Sequence, residues 1–141
     1  MVQLTIAEQV DAVWTEFGFI RWPLMFSFMT VIGLALFSTI RLFRPGATPD
    51  LHTKAWLDAI LFWGGFATIS GLLGTLIGIT IASQSVEAAG EVNVTLMWGG
   101  IKISLLSSLF GVLILAFASL LWFVLQLRWR LLVADEVEDA I

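Results

Sequence analysis

Residues 71–83 read GLLGTLIGITIAS, an aliphatic run that gives three positions to glycine and two to threonine. A glycine inside a helix costs about 1 kcal/mol against alanine. Three of them so close together call for a compensating contact.

Working outward, the run lies in an uncharged stretch from Ala59 to Val86, bounded by Asp58 and Glu87. Two further uncharged stretches flank it: Trp22 to Ile40 between Arg21 and Arg41, and Ile103 to Leu127 between Lys102 and Arg128. Each is near or above the roughly 20 residues that a helix rising ~1.5 Å per residue needs to cross ~30 Å of hydrocarbon. Composition agrees, with 59% hydrophobic residues, 13% charged residues and a mean hydropathy of +0.97, too apolar for a soluble domain of this size. The expected fold is an all-α integral membrane domain with three transmembrane helices. No segment alternates in polarity with a period of two, as barrel strands would.

The basic residues set the orientation. Arg41, Arg44 and Lys54 lie between the first two spans, and Arg128 and Arg130 end the third. The positive-inside rule puts both groups in the cytoplasm, so the chain is expected N-out and C-in. Glu8, Asp11, Glu16, Glu87 and Glu91 then fall outside. Tryptophan prefers the headgroup level; Trp14, Trp22 and Trp98 fall at the outer boundary and Trp56, Trp63, Trp122 and Trp129 at the inner one.

The expected layout is one membrane domain over residues 1–141. It has an interfacial amphipathic helix over 4–20, whose Val10, Val13, Trp14 and Phe17 share a stripe. The first span covers 21–42, a cytoplasmic turn 43–57, the second span 58–83, a periplasmic loop 84–93, the third span 94–130 and an acidic cytoplasmic tail 131–141. Acidic rather than basic residues precede the first apolar run, which is also too long for the core of a signal peptide. With no cysteine, one histidine and carboxylates only at span boundaries, neither a metal site nor a nucleophile–base pair can be assembled, so no enzyme and no resident cofactor are expected. Seven basic residues spread over three boundaries give no basis for nucleic-acid binding.

Function must therefore reside in the helix faces. Stepping roughly 100° per residue from Gly71, Gly64, Ala67, Thr68, Gly74, Thr75, Gly78, Ala82 and Ser85 gather on one side of the second helix. On the third, Gly100, Ser104, Ser107, Ser108, Gly111 and Ala118 do the same, with Lys102 nearly opposite. Two uses fit these stripes. Small residues let membrane helices pack closely, and sparse hydroxyls such as Thr75 and Ser108 line narrow ion paths. Lys102 either snorkels to the headgroups or pairs with a carboxylate on another subunit. No Asp, Glu or His falls inside an expected span, so a coupled ion would have to be bound by a carboxylate from a partner.

The stretches ATISGLLGTLIGI and GGIKISLLSSLFGVLI resemble the second and third transmembrane helices of the MotA/TolQ/ExbB proton-channel family, over about Ala67 to Leu115. Gly71, Leu72, Gly74, Thr75 and Gly78 match the pattern of the family's second helix, and Gly100, Ile101, Leu105 and Gly111 that of its third. Ser108 stands where the family usually has threonine. The chain departs from the pattern at Ile103, where glutamate is frequent, in lacking a proline after Gly111, and in its short cytoplasmic turn.

The resemblance implies a homopentamer in the bacterial inner membrane, surrounding two copies of a single-span partner. That partner would carry a transmembrane aspartate and a periplasmic domain, and the transported ion would be H⁺ or Na⁺. It implies that Thr75 and Ser108 line the ion path, and their places on the same stripes add Ser104, Ser107 and Thr68 as candidates. Gly71, Gly74, Gly78, Gly100 and Gly111 would let the partner's helix approach. The alternative is an accessory membrane subunit whose small faces serve assembly alone.

Overall fold

The computed structural model describes residues 5, 18–48, 50–90 and 94–140. A 3-10 turn over Gly18–Ile20 leads into three helices, α1 (Arg21–Leu42), α2 (Leu51–Ala89) and α3 (Val94–Asp139). All three are long and apolar enough to cross a membrane, so the protein is a multi-pass membrane protein. Large apolar side chains such as Trp22, Phe62, Leu76 and Leu120 lie on the bundle surface. A water-soluble bundle would hide them, whereas helices in lipid expose them at no cost.

The helix ends follow local chemistry. Pro23 stands in the first turn of α1, where its missing N–H has no intrahelical acceptor to lose. Gly46, at φ +77°, makes the left-handed step of the turn after α1. The Asp50 carboxylate accepts from the His52 N–H and caps α2. Gly90, at φ +67°, ends α2 with its N–H on the Glu87 carbonyl.

Hydropathy alone misjudges these ends. The turn expected over 43–57 gives way to helix at Leu51, because the breakers Pro45, Gly46 and Pro49 all precede it in the sequence and none falls within 50–57. The loop expected over 84–93 is helical through Ala89. The acidic tail from 131, expected as the solvated end of the third helix, does continue α3 as helix through Asp139, since no glycine or proline follows Gly111 to interrupt it. With 39 and 46 residues, α2 and α3 extend about 58 and 69 Å and so outrun the bilayer core. The interfacial helix expected over 4–20 lies outside the described residues except for Thr5 and the turn at Gly18–Ile20.

Packing centres on α2 and α3, with α1 applied mainly to α2. Buried positions on α2 recur at Thr53, Leu57, Ile60, Gly64, Ala67, Gly71 and Gly74, and on α3 at Ser104, Ser107, Gly111, Ile114, Ala118 and Leu125. Their alternating spacing of three and four is the seam pattern of intertwined helices. On α1 the buried face is Leu24, Ser27, Val31, Ala35, Ser38 and Leu42. Edge-to-face ring contacts, Phe26 with Trp63 at 5.4 Å and Phe37 with Trp56 at 5.9 Å, fix its register on α2.

Candidate functional site

The glycines opened a question that the α2/α3 seam answers. A Cβ on Gly71 would stand 2.5 Å from the Ser107 carbonyl oxygen, and one on Gly111 2.6 Å from that of Ala67. At Gly64 it would meet the Ala118 methyl at 2.7 Å, at Gly74 the Ser107 hydroxyl at 2.7 Å and at Gly100 the Ala82 methyl at 2.9 Å. At Gly78 it would collide with Ser104. Backbone lies against backbone along the middle of the seam, and only hydrogen fits between. The nearest neighbours of these glycines thus belong to this chain, whereas the sequence led us to expect a partner's helix against them. Periodicity identifies a small face but not its occupant.

That closeness brings hydroxyls within reach of carbonyls on the opposite helix. The Thr75 hydroxyl of α2 donates to the Ser104 carbonyl of α3 at 2.8 Å, with the Gly71 carbonyl at 3.2 Å. Ser107 of α3 donates back to the Gly71 carbonyl of α2 at 2.9 Å, with the Ser104 carbonyl at 3.1 Å. The two hydroxyl oxygens stand 3.5 Å apart. One helix therefore bonds the other and is bonded in return. In membranes such interhelical bonds average about 0.6 kcal/mol, so the pair fixes register more than it adds stability. Each hydroxyl has given its one proton to a carbonyl, which leaves oxygen lone pairs as the remaining chemistry.

Thr68 makes a third link, to the Gly111 carbonyl at 3.2 Å. Ser104 instead bonds its own helix, at the Gly100 carbonyl, 2.8 Å away, the local satisfaction open to any helical serine. Ser108 differs from all of these. Its Oγ is buried and has no hydrogen-bond partner among the described residues, and its Cα lies where a Cβ on Gly71 would touch it, at 3.2 Å. A buried hydroxyl left unpaired costs ~1–3 kcal/mol, which leaves the Ser108 hydroxyl open to a ligand.

The seam has two flanks. Stepping roughly 100° per residue about Gly71 puts Thr68 and Thr75 on one and Ser70 and Gly74 on the other. Ile20, in the turn leading into α1, meets Gly74, and Phe26 and Phe37 of α1 meet Trp63 and Trp56 on the same side of α2, so α1 covers the second flank. The first is free of α1, and the same step along antiparallel α3 places Ser108 on it. Lys102 points away from the seam, exposed on a groove of about 340 Å³ with Trp98, Ile101, Leu105, Leu106 and Leu109. No carboxylate among the described residues pairs with it.

Towards the 43–50 turn the seam changes character. Trp122 of α3 donates its indole N–H to the Asp58 carboxylate of α2 at 3.2 Å. The Lys54 ammonium lies over the Trp129 ring at 5.3 Å and the Arg128 guanidinium over Phe43 at 5.6 Å. The sequence led us to expect these tryptophans at the inner boundary but gave no sign of their partners. The pairing of Asp58 with Trp122 spans 64 positions, which no local pattern reveals.

Among the described residues no group of His, Cys, Asp and Glu could hold a metal ion. The arrangement offers close helices, interhelical hydroxyls and one unpartnered hydroxyl on a flank that another helix can approach. Compared with protein families, the chain matches the MotA/TolQ/ExbB proton channel family over residues 50–137, which takes in nearly all of α2 and α3. No curated protein and no solved structure matches it significantly.

Proposed function

The chain belongs to the MotA/TolQ/ExbB proton channel family, and from that membership we propose that it is the pore subunit of an ion-driven membrane motor. It sits in the bacterial inner membrane, N-out and C-in, as a homopentamer. The five copies surround two copies of a single-span partner that bears a transmembrane aspartate and a periplasmic domain. The flank of the α2/α3 seam free of α1 faces that partner.

The observation that carries this reading is the unpartnered Ser108 hydroxyl beside the reciprocal Thr75–Ser107 pair. An ion entering from outside binds the partner's aspartate, with lone pairs of Thr75 and the free hydroxyl of Ser108 solvating it as it is handed on. Ser107 and Thr68 hold the two helices at that spacing, and Ser104 closes on its own helix. Alternating occupation of the partner's two aspartates turns the ring about the pair. The output is torque, and either H⁺ or Na⁺ is served by oxygen ligands.

A second reading, an accessory subunit that assembles but does not conduct, is favoured by the occupation of the glycine face within the chain. Purification with and without a neighbouring-frame partner of one Asp-bearing span separates the two. A five-to-two complex that carries protons into vesicles is the expected result. A stable monomer or dimer with no affinity for such a helix overturns the proposal, and a five-to-two complex without flux supports the accessory reading.

A further inference from the structure

Asp58 was expected at the edge of a span, yet it stands about two turns inside α2, whose cap is Asp50. It is exposed, and its Oδ1 is fixed by the Trp122 indole of α3 at 3.2 Å. Oδ2 has no protein partner among the described residues. Two of the cations at this end are engaged elsewhere. Lys54, one turn away on the same helix, lies over the Trp129 ring, and Arg128 lies over Phe43. No ion pair neutralises Asp58 among the described residues.

A second polar group one turn along α3 from Trp122 is also unaccounted for. Gln126 is 7% exposed, and its buried Oε1 has no hydrogen-bond partner among the described residues. A buried amide oxygen without a donor is costly unless water or an ion reaches it. Stepping along the helices puts Asp58 and Gln126 on the same flank as Thr68, Thr75 and Ser108, away from α1.

We infer that Asp58, fixed by Trp122 and flanked by Gln126, is the carboxylate at the inner mouth of the ion path. The inference rests on the proposed function and gives the path an exit. Asp58 lies seventeen positions from Thr75, about 25 Å along α2, too far for direct transfer. It acts on an ion already released from the partner's aspartate. A hydrated proton arriving at the mouth bonds to Oδ2, and the same proton leaves to cytoplasmic water, so the carboxylate is regenerated. A sodium ion would be held by the same oxygen and released without any bond change. A negative charge at a channel mouth raises the local cation concentration, and rings of Asp or Glu serve cation pores in this way.

Three substitutions in the partner-bound complex separate charge from structure. Asp58→Asn keeps an oxygen for the Trp122 N–H but removes the charge, Asp58→Glu keeps the charge, and Trp122→Phe removes only the hydrogen bond. With proton flux into vesicles read by an internal pH dye, Asp58→Asn is expected to lower flux about tenfold or more at unchanged stoichiometry. Asp58→Glu and Trp122→Phe should retain most of it. Flux unchanged in Asp58→Asn overturns the inference alone, as does a loss of assembly common to Asp58→Asn and Trp122→Phe, which would make the contact structural. Absence of flux in the unsubstituted complex overturns the proposed function and this inference with it.

Discussion

The two halves of the α2/α3 seam hold the same pair of helices by different means. From Gly64 to Gly78 the contact is close to backbone on backbone, lined mostly by glycine, alanine, serine and threonine, with Ile114 and Leu115 as its larger side chains. From Thr53 to Ile60 it is made by large side chains, with Leu57 and Ile60 fully buried and an aromatic, charged fringe formed by Asp58, Trp122, Lys54 and Trp129. In lipid the first kind of contact relies on closeness and hydrogen bonds, and the second on filled volume. The narrow half therefore tolerates no added atom, whereas the wide half tolerates no missing one.

Substitution tests this asymmetry. Gly71→Val should have the largest effect, because its Cβ alone reaches within 2.5 Å of the Ser107 carbonyl. We expect a loss above ~3 kcal/mol, measured as thermal melting in detergent. Wild-type melting would mean that the helices are not in contact there. In the wide half the damage should come from truncation. Leu57→Ala leaves a cavity at a side chain with no exposure, and a loss of about 2 kcal/mol is expected in the same assay. The smallest effect belongs to Gly65→Ala, six positions before Gly71, where an added Cβ meets nothing within 4 Å. The gain in helix propensity should leave stability unchanged or raise it by up to ~1 kcal/mol. A loss at Gly65 comparable to that at Gly71 would show that helix propensity, not contact, governs these glycines.

Much of this contrast is readable in the sequence. Charge-free runs reveal three spans because hydrocarbon penalises charge so heavily, and the 3.6-residue period collects Gly71, Thr75, Gly78 and their counterparts on α3 into faces. The helix ends are less readable, because Asp50 and Gly90 set them by capping, and hydropathy is blind to capping. The occupant of the glycine face is not readable at all. Periodicity gives a direction on one helix, and the pairing of Gly71 with Ser107 depends on how the intervening connection brings α3 back. Ser108 could be singled out as a hydroxyl on that face. Its lack of a partner emerges only once Thr75 and Ser107 have taken the available carbonyls.

That unpaired hydroxyl gives the central claim its most direct test, since removing it breaks no bond among the described residues. Proton flux is measured in vesicles holding the partner-bound complex, with Ser108→Ala beside the unsubstituted protein and melting recorded for both. Conduction along this flank predicts equal or higher melting temperature and a flux lowered about tenfold or more. Wild-type flux in Ser108→Ala would contradict it and return the seam to a role in packing alone.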